Sequence, residues 1–372
     1  MQQIGKYQMI VMIIMFELGS TTLFELGIKA KQDSWLAILF GALIGFALLW
    51  VFVRIQNRAP SLCFAGLLRL HLGRLLGTVV GVLYAVYFAY ESMRNIRDFS
   101  ELTVMTIMQQ TPQWIIIVIV AGLALYALSK GALVFFRIVE LLFPVVLISY
   151  TLLLLFLIIT KLPNIHHLLP ILEDGIAPVA KAAFPDIISF PFGQIVVFLM
   201  FWHHISEKNN TGKTVAMGYM IVSVFLILMN AITMSVLGPE LSAVSALPLL
   251  EVVQLIRLAN IIERLDVVVT LLLYIGLYVK MTLFFMASVL MISSLFKLKN
   301  GRVGLVMIIL ITLMSFTERN NTEHIWIGLV IAVKVFTVFQ IQIPLLLLIV
   351  GALRGLGKKN GGSAEGEVAI QK

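Results

Sequence analysis

The stretch whose reading decides the fold runs from Ile187 to Phe198, IISFPFGQIVVF. It is an apolar run with Phe190, Pro191, Phe192, Gly193 and Gln194 at its centre. Pro191 has no amide hydrogen and its ring crowds the preceding turn. Gly193 has no side chain to hold helical backbone, and the Gln194 amide is a polar burden in hydrocarbon. Ser189 adds a hydroxyl. A membrane helix carrying these residues together is interrupted there, and its freed backbone groups need partners other than lipid.

The rest of the chain puts this run in a membrane. Of 372 residues 60% are hydrophobic and only 12% charged, too few polar groups to cover a soluble globule. A single cysteine, Cys63, excludes a disulfide framework and gives no metal-ligand spacing. The net charge of +8 comes from basic residues scattered at the ends of apolar runs, which marks membrane topology and excludes a nucleic-acid surface. Runs able to cross a ~30 Å hydrocarbon core, about 20 helical residues each, occur roughly at 8–27, 35–53, 75–106, 114–129, 138–160, 184–203, 214–237, 265–292, 303–317 and 324–353. Lys6, the group Arg54, Arg58, Arg69 and Arg74, the group Lys297, Lys299 and Arg302, and the group Arg354, Lys358 and Lys359 collect on one side. By the positive-inside rule both termini are cytoplasmic. The expected layout is a ten-helix membrane domain over 1–355, in halves of about 1–161 and 184–353, followed by a flexible cytoplasmic tail over 356–372.

The first run carries a matching interruption. Glu17 stands directly before Leu18, Gly19, Ser20, Thr21 and Thr22, a carboxylate followed by glycine and three hydroxyls near the middle of a span. The hydroxyls could bond back to their own helix, but Glu17 argues for a functional break. With five spans per half, the first and sixth spans open the two halves and enter the membrane in opposite directions. Interrupted segments at corresponding places are the mark of an inverted repeat with a binding site near the midplane. The expected fold is therefore all-α, ten spans, with a 5+5 inverted repeat and broken first and sixth helices.

Other polar residues converge on the same depth. An ionisable group in a span costs roughly 2.5–3.5 kcal/mol on insertion scales, so it faces a cavity or a partner. In the third span Tyr84, Tyr87, Glu91, Arg94, Asp98 and Glu101 recur at three- and four-residue steps. Two readings of the charged half stand, a solvated helix end or part of the site, while Tyr87, Tyr90 and Glu91 lie deeper. The eighth span opens on Glu263, Arg264, Leu265 and Asp266 and continues through Thr270, Tyr274 and Lys280. Lys280 is about midway along, too deep to reach water. It is expected beside Glu17 or an opened turn of the first helix, a fixed positive charge where a sodium ion could otherwise bind. Lys334 in the tenth span is a second deep lysine. Segments 161–183 and 238–264 are expected to form short interfacial helices, the second amphipathic through Leu249, Val252, Val253, Ile256, Leu258 and Ile262. No nucleophile–base pair, metal cluster or phosphate loop appears, so neither an enzyme nor a cofactor is expected. The pairs His166–His167 and His203–His204 read as interfacial.

These residues resemble a known family, the B subunits of bacterial spore germinant receptors, in the amino acid–polyamine–organocation superfamily with the leucine-transporter fold. The resemblance is carried by Ile4 to Gln8 leading into Phe16 to Thr22, Arg94 to Glu101 with Thr111 and Pro112, and Phe190 to Gln194. It continues through Pro248 to Leu250 and Glu263 to Asp266, and spans about residues 4–355. It implies a multi-pass inner-membrane protein of the dormant spore, partnered by A and C subunits, that binds a nutrient, commonly an amino acid. The pocket it implies uses Gly19, Ser20, Tyr90, Phe190, Phe192, Gly193, Thr270 and Tyr274; the residues themselves add Thr21 and Pro191 at the breaks, and Glu17, Glu91, Arg94, Asp266 and Lys280 as charged or coupling groups. The family often has glutamate where this chain has Gln194, and an amide cannot titrate, which takes proton linkage away from that position. Two functions are expected from this pattern: a nutrient-sensing receptor subunit, or a proton-coupled amino acid transporter. Sugars and nucleosides also remain as ligand classes.

Overall fold

The computed structural model describes residues 3–206, 210–256 and 265–356. Eight helices are long and apolar enough to cross a membrane. They are α2 (Ser34–Arg58), α3 (Arg74–Thr106), α4 (Gln113–Lys130), α5 (Ala132–Ile159), α6 (Ile176–Met200), α7 (Thr211–Val244), α8 (Leu265–Phe296) and α10 (Asn321–Leu353). Two shorter ones complete the ten expected passes: α1 (Lys6–Leu18) and α9 (Asn300–Met314). The fold is the all-α arrangement of two five-helix halves read from the sequence. Among the described residues the only β-type pairing is one isolated parallel bridge between Ile4 and Ile205. That bridge ties the start of α1 to the end of α6 on the side of the membrane where the chain begins, called here the near side.

Both leading helices are interrupted where the sequence places the breaks. α1 stops at Leu18 and resumes as a short 3-10 turn at Thr21–Leu23. In α6 a wide π-type turn over Ala182–Ile187 precedes the Phe190–Pro191 break, and a tight 3-10 stretch, Phe192–Met200, follows it. α10 is also irregular, with π-type turns at Ile327–Ala332 and Val338–Gln342. Such turns release backbone groups and often mark functional places.

The frame around the breaks is held by cross-helix hydroxyl bonds as well as apolar packing, since hydrophobic segregation alone does not join helices in lipid. Ser92 Oγ of α3 donates to the Met281 carbonyl of α8 at 3.1 Å, and Ser288 Oγ of α8 donates back to Ala85 at 2.8 Å. Tyr219 of α7 donates to Ala42 of α2 at 2.7 Å.

The connecting segments differ from expectation in detail. In 161–183 only Ile165–Leu168 and the first turns of α6 are helical, and Asp33 holds the segment by accepting from the Leu172 amide at 3.1 and 3.0 Å. In 238–264, α7 continues past a kink at Gly238, and a separate helix covers Pro248–Gln254. Its apolar residues Leu249, Val252 and Val253 are buried, as is Ile256 just past its end. Leu258, Ile262, Glu263 and Arg264, and the tail over 357–372, lie outside the described residues.

Candidate functional site

The α1 break begins at Gly19, whose amide still reaches back to Met15 and Phe16 at 3.2 Å. Thr21 Oγ1 donates to the Glu17 carbonyl at 2.5 Å, and Thr22 Oγ1 to Leu18 at 3.3 Å, so two of the three hydroxyls bond back to their own helix. Glycine is needed here for close approach. A Cβ on Gly19 would stand 2.8 Å from Lys280 Cβ and Cδ, and a Cβ on Gly276 would stand 2.9 Å from the Gly19 carbonyl oxygen. α8 therefore lies directly on the opened turn, and the Lys280 stem runs along it.

The Lys280 ammonium is fully buried. It lies 5.2 Å from the Phe16 ring centroid and 4.7 Å from that of Phe190, so it bridges the two broken helices through ring faces. Among the described residues it forms no hydrogen bond, and neither do the two carboxylate oxygens of fully buried Glu17. Glu91 on α3 is within electrostatic reach of the same lysine. Both Glu91 oxygens accept from Gln194 Nε2 at 2.8 Å. The amide at position 194 thus serves as a donor that holds a carboxylate across the break.

Behind the α6 break stands a residue that the sequence reading passed over. Gln340 of α10, fully buried, donates to the Ser189 carbonyl at 3.0 Å and to the Tyr87 hydroxyl at 2.7 Å. Ser189 in turn donates to the Val333 carbonyl at 2.8 Å. α10 thereby takes up backbone groups that the break frees. Gly193 is packed against it, a Cβ there falling 2.7 Å from the Ile188 carbonyl oxygen and 2.8 Å from Gln340 Cδ. Two amides, Gln340 and Gln342, within an apolar run were the available signal.

The structure gathers Glu17, Gly19, Phe190, Glu91, Gln194 and Lys280 at this centre, with Ser20 and Thr21 next along the chain after α1, Pro191 following Phe190 at the α6 break and Gly193 against Gln340. Other expected residues stand apart. Phe192 packs on Tyr219 of α7 with ring centroids 5.4 Å apart, so only one of the two phenylalanines faces the lysine. Tyr90 meets Phe336 of α10 at 5.8 Å. Tyr274 lies on Phe99 at 4.7 Å and reaches the Thr106 hydroxyl at 3.3 Å, at the far end of α3. Thr270 donates to the Asp266 carbonyl at 2.8 Å within its own helix. Residues two apart on a helix diverge by about 200°, so Tyr274 cannot share the face by which Gly276 meets α1. Lys334 is exposed on the outside of α10.

The charged half of α3 is not a solvated end. Arg94, Arg97 and Asp98 are buried under the α9–α10 connection and the first turn of α10. Arg94 lies 3.5 Å from Glu318 and donates to the His324 carbonyl at 2.5 Å. His324 Nε2 meets Asp98 at 2.8 Å, while Nδ1 meets Glu318 and lies 3.0 Å from Arg94 Nη1. Arg97 pairs with Glu101 at 2.9 Å and donates to the Ser315 carbonyl at 2.8 Å. Burial by itself would push the Glu318 carboxyl up, but the His324 bond and the charges of His324, Arg94 and Arg97 hold it below the usual carboxylate value of 4.5. Glu318 and His324 were not singled out in the sequence because only folding brings them to α3.

With this geometry in place, known proteins give the context. The profile of the family described as "Spore germination protein" matches residues 3–325. Spore germination protein KB of Bacillus subtilis (strain 168) is 33% identical over 370 residues, covering 99% of this chain and 98% of that one. Spore germination protein YndE of the same organism is 24% identical, covering 88% and 90%. Among solved structures, MhsT in complex with L-phenylalanine superposes with a TM-score of 0.66 at 13% identity, covering 95% of this chain and 89% of that one. Mhp1, a nucleobase-cation-symport-1 family transporter in a closed conformation with bromovinylhydantoin bound, gives 0.63 at 12% identity, covering 93% and 78%. At these identities the structural likeness speaks to the fold.

Proposed function

The chain belongs to the spore germination protein family, and on that premise we propose that it is the nutrient-sensing subunit of a spore germinant receptor, with an amino acid as the ligand class its centre suits best. The observation that carries this reading is the Lys280 ammonium held between Phe16 of α1 and Phe190 of α6, beside a Glu17 carboxylate that has no hydrogen-bond partner among the described residues. Two buried carboxylates, Glu17 and Glu91, face one buried lysine. Ionised, the centre lacks one positive charge, which a ligand ammonium supplies, while Lys280 and the opened backbone receive the ligand carboxylate. The lysine also takes the place a coupling sodium ion would need against the α1 break.

In this reading both termini are cytoplasmic and the protein sits in the spore inner membrane with A and C subunits as partners. Ligand binding favours one arrangement of the broken helices over another, and that shift passes to the partners. A second reading, a proton-coupled amino acid transporter, draws on the fold shared with MhsT, which was solved with L-phenylalanine. Reconstitution of the purified protein in liposomes separates the two. Binding of amino acids without flux supports sensing, accumulation driven by a proton gradient supports transport, and absence of binding across the amino acids overturns the ligand class.

A further inference from the structure

One turn beyond the α1 break lies a separate chamber. Its polar lining is Thr21, Thr22, Glu25, Asn230 and Thr233, contributed by the segment that follows α1 and by α7, and Pro248 and Leu249 form part of its apolar wall. Its volume is about 30 Å³, room for one or two water-sized bodies and far below what a whole amino acid needs. Phe24 and Phe190, with ring centroids 6.1 Å apart, stand between it and the Lys280 centre.

The chemistry of the chamber is one-sided. Glu25 Oε1 accepts from Asn230 Nδ2 at 2.6 Å. The same amide nitrogen donates to the Leu26 carbonyl at 3.2 Å, and its Oδ1 accepts from Ser34 Oγ at 2.8 Å, so Asn230 is fixed in orientation. Among the described residues no lysine, arginine or histidine pairs with Glu25. The nearest lysines along the chain are engaged elsewhere, Lys29 with Asp186 at 2.5 Å and Lys31 with Asp174 at 2.8 Å. A carboxylate near threonine hydroxyls, held by an amide N–H, beside a void of ionic size and without a cationic partner among the described residues, offers oxygen ligands of the kind a hard monovalent cation or an ammonium head takes.

We propose that this chamber is a second site that takes one small monovalent cationic group, with the Glu25 carboxylate as its counter-charge and Asn230 as the residue that aims it. Two sources share that chemistry, a free inorganic ion and the ammonium group of the nutrient. The first stands independently of the nutrient site at Lys280, and the second rests on it.

Thermal unfolding of the full-length protein in detergent tests this at constant ionic strength, with sodium, potassium or ammonium chloride set against N-methyl-D-glucamine chloride. In parallel, each amino acid is compared with its N-acetyl form. Stabilisation by the small inorganic cations, with apparent affinity weakened about tenfold or more in Glu25→Gln and kept in Glu17→Gln, identifies a free ion. Stabilisation only by amino acids with a free ammonium, weakened in Glu25→Gln, identifies the nutrient head group. Loss of that amino acid effect in Glu17→Gln alone assigns the ammonium to the Lys280 centre and overturns the ammonium arm. The proposal as a whole is overturned if wild type responds to neither series, or if Glu25→Gln responds as wild type does. Asn230→Ala gives a second reading that leaves the carboxylate in place, with weakened cation affinity expected and an unchanged affinity counting against the site.

Discussion

Two regions of this molecule bury charge at comparable depth and treat it in opposite ways. At the far end of α3, Arg94, Asp98, Glu318 and His324 satisfy one another through direct contacts. At the centre, Lys280 has aromatic faces and Glu17 has no hydrogen-bond partner among the described residues. A closed network fixes how α3 sits against α10. An open pair keeps electrostatic demand for something that arrives later. The contrast separates what holds the helices from what a ligand can change, and substitutions in each region break or sharpen it.

The largest effect is expected in the closed network. His324→Leu leaves Asp98 and Glu318 facing each other beside Arg94, and breaking a buried ionic arrangement costs about 3–5 kcal/mol. Unfolding in detergent should show that loss, and a change below about 1 kcal/mol would mean that the network is solvated after all. The same region predicts a pH dependence. Because the Glu318 carboxyl is held below its usual value of 4.5, its contribution to stability is full above that pH and is lost as the pH falls through the lower folded value. Glu318→Gln should flatten the acid limb of the melting temperature against pH.

Next comes the packing of the breaks. Gly19→Leu forces side-chain atoms into the Lys280 stem and Gly193→Leu into Gln340 and the Ile188 carbonyl. Overpacking of this kind costs typically 1–3 kcal/mol, so the protein should still reach the membrane while ligand response is abolished. A full response in Gly193→Leu would remove the α6 break from the site.

The open pair should behave differently again. Lys280→Met removes a buried ammonium that makes no hydrogen bond among the described residues but faces Glu17 and Glu91. The stability loss should therefore stay below the ~3–5 kcal/mol expected in the closed network, while ligand affinity should fall at least about tenfold through loss of a charge-assisted contact. Unfolding and ligand titration on the same preparation read both numbers. A large stability loss with unchanged affinity would place Lys280 among the structural charges.

How much of this could be read in advance follows from where each signal resides. Pro191 with Gly193 and Gly19 beside Glu17 announce their breaks locally, because proline and glycine act on their own turn. Lys280 announces itself by depth alone. Gln340, by contrast, gains its meaning from the Ser189 carbonyl it meets, and His324 from Asp98, contacts that join residues 151 and 226 positions apart. Nothing in a single chain segment encodes such pairings. Facing is equally hidden: Phe190 and Phe192 look equivalent in sequence, yet one lies on Lys280 and the other on Tyr219. Glu25 was passed over because it follows the break by several residues, where a carboxylate near a membrane end looks ordinary.

The smallest effect tests the edge of the central site. The sequence groups Tyr274 with the ligand, whereas the fold sets it on Phe99 with its hydroxyl 3.3 Å from that of Thr106. Tyr274→Phe keeps the ring contact and removes one neutral hydrogen bond, worth about 0.5–1.5 kcal/mol at most. If Tyr274 only joins α8 to the end of α3, stability should fall slightly and the ligand concentration for half response should move by less than about threefold, within one such bond. Thr270→Ala, which removes a hydroxyl bonded within its own helix, should move it less still. A shift beyond about tenfold in Tyr274→Phe, with stability unchanged, would mean that the far end of α3 swings toward the ligand during the response, so that the closed network beside it would have to open as part of signalling.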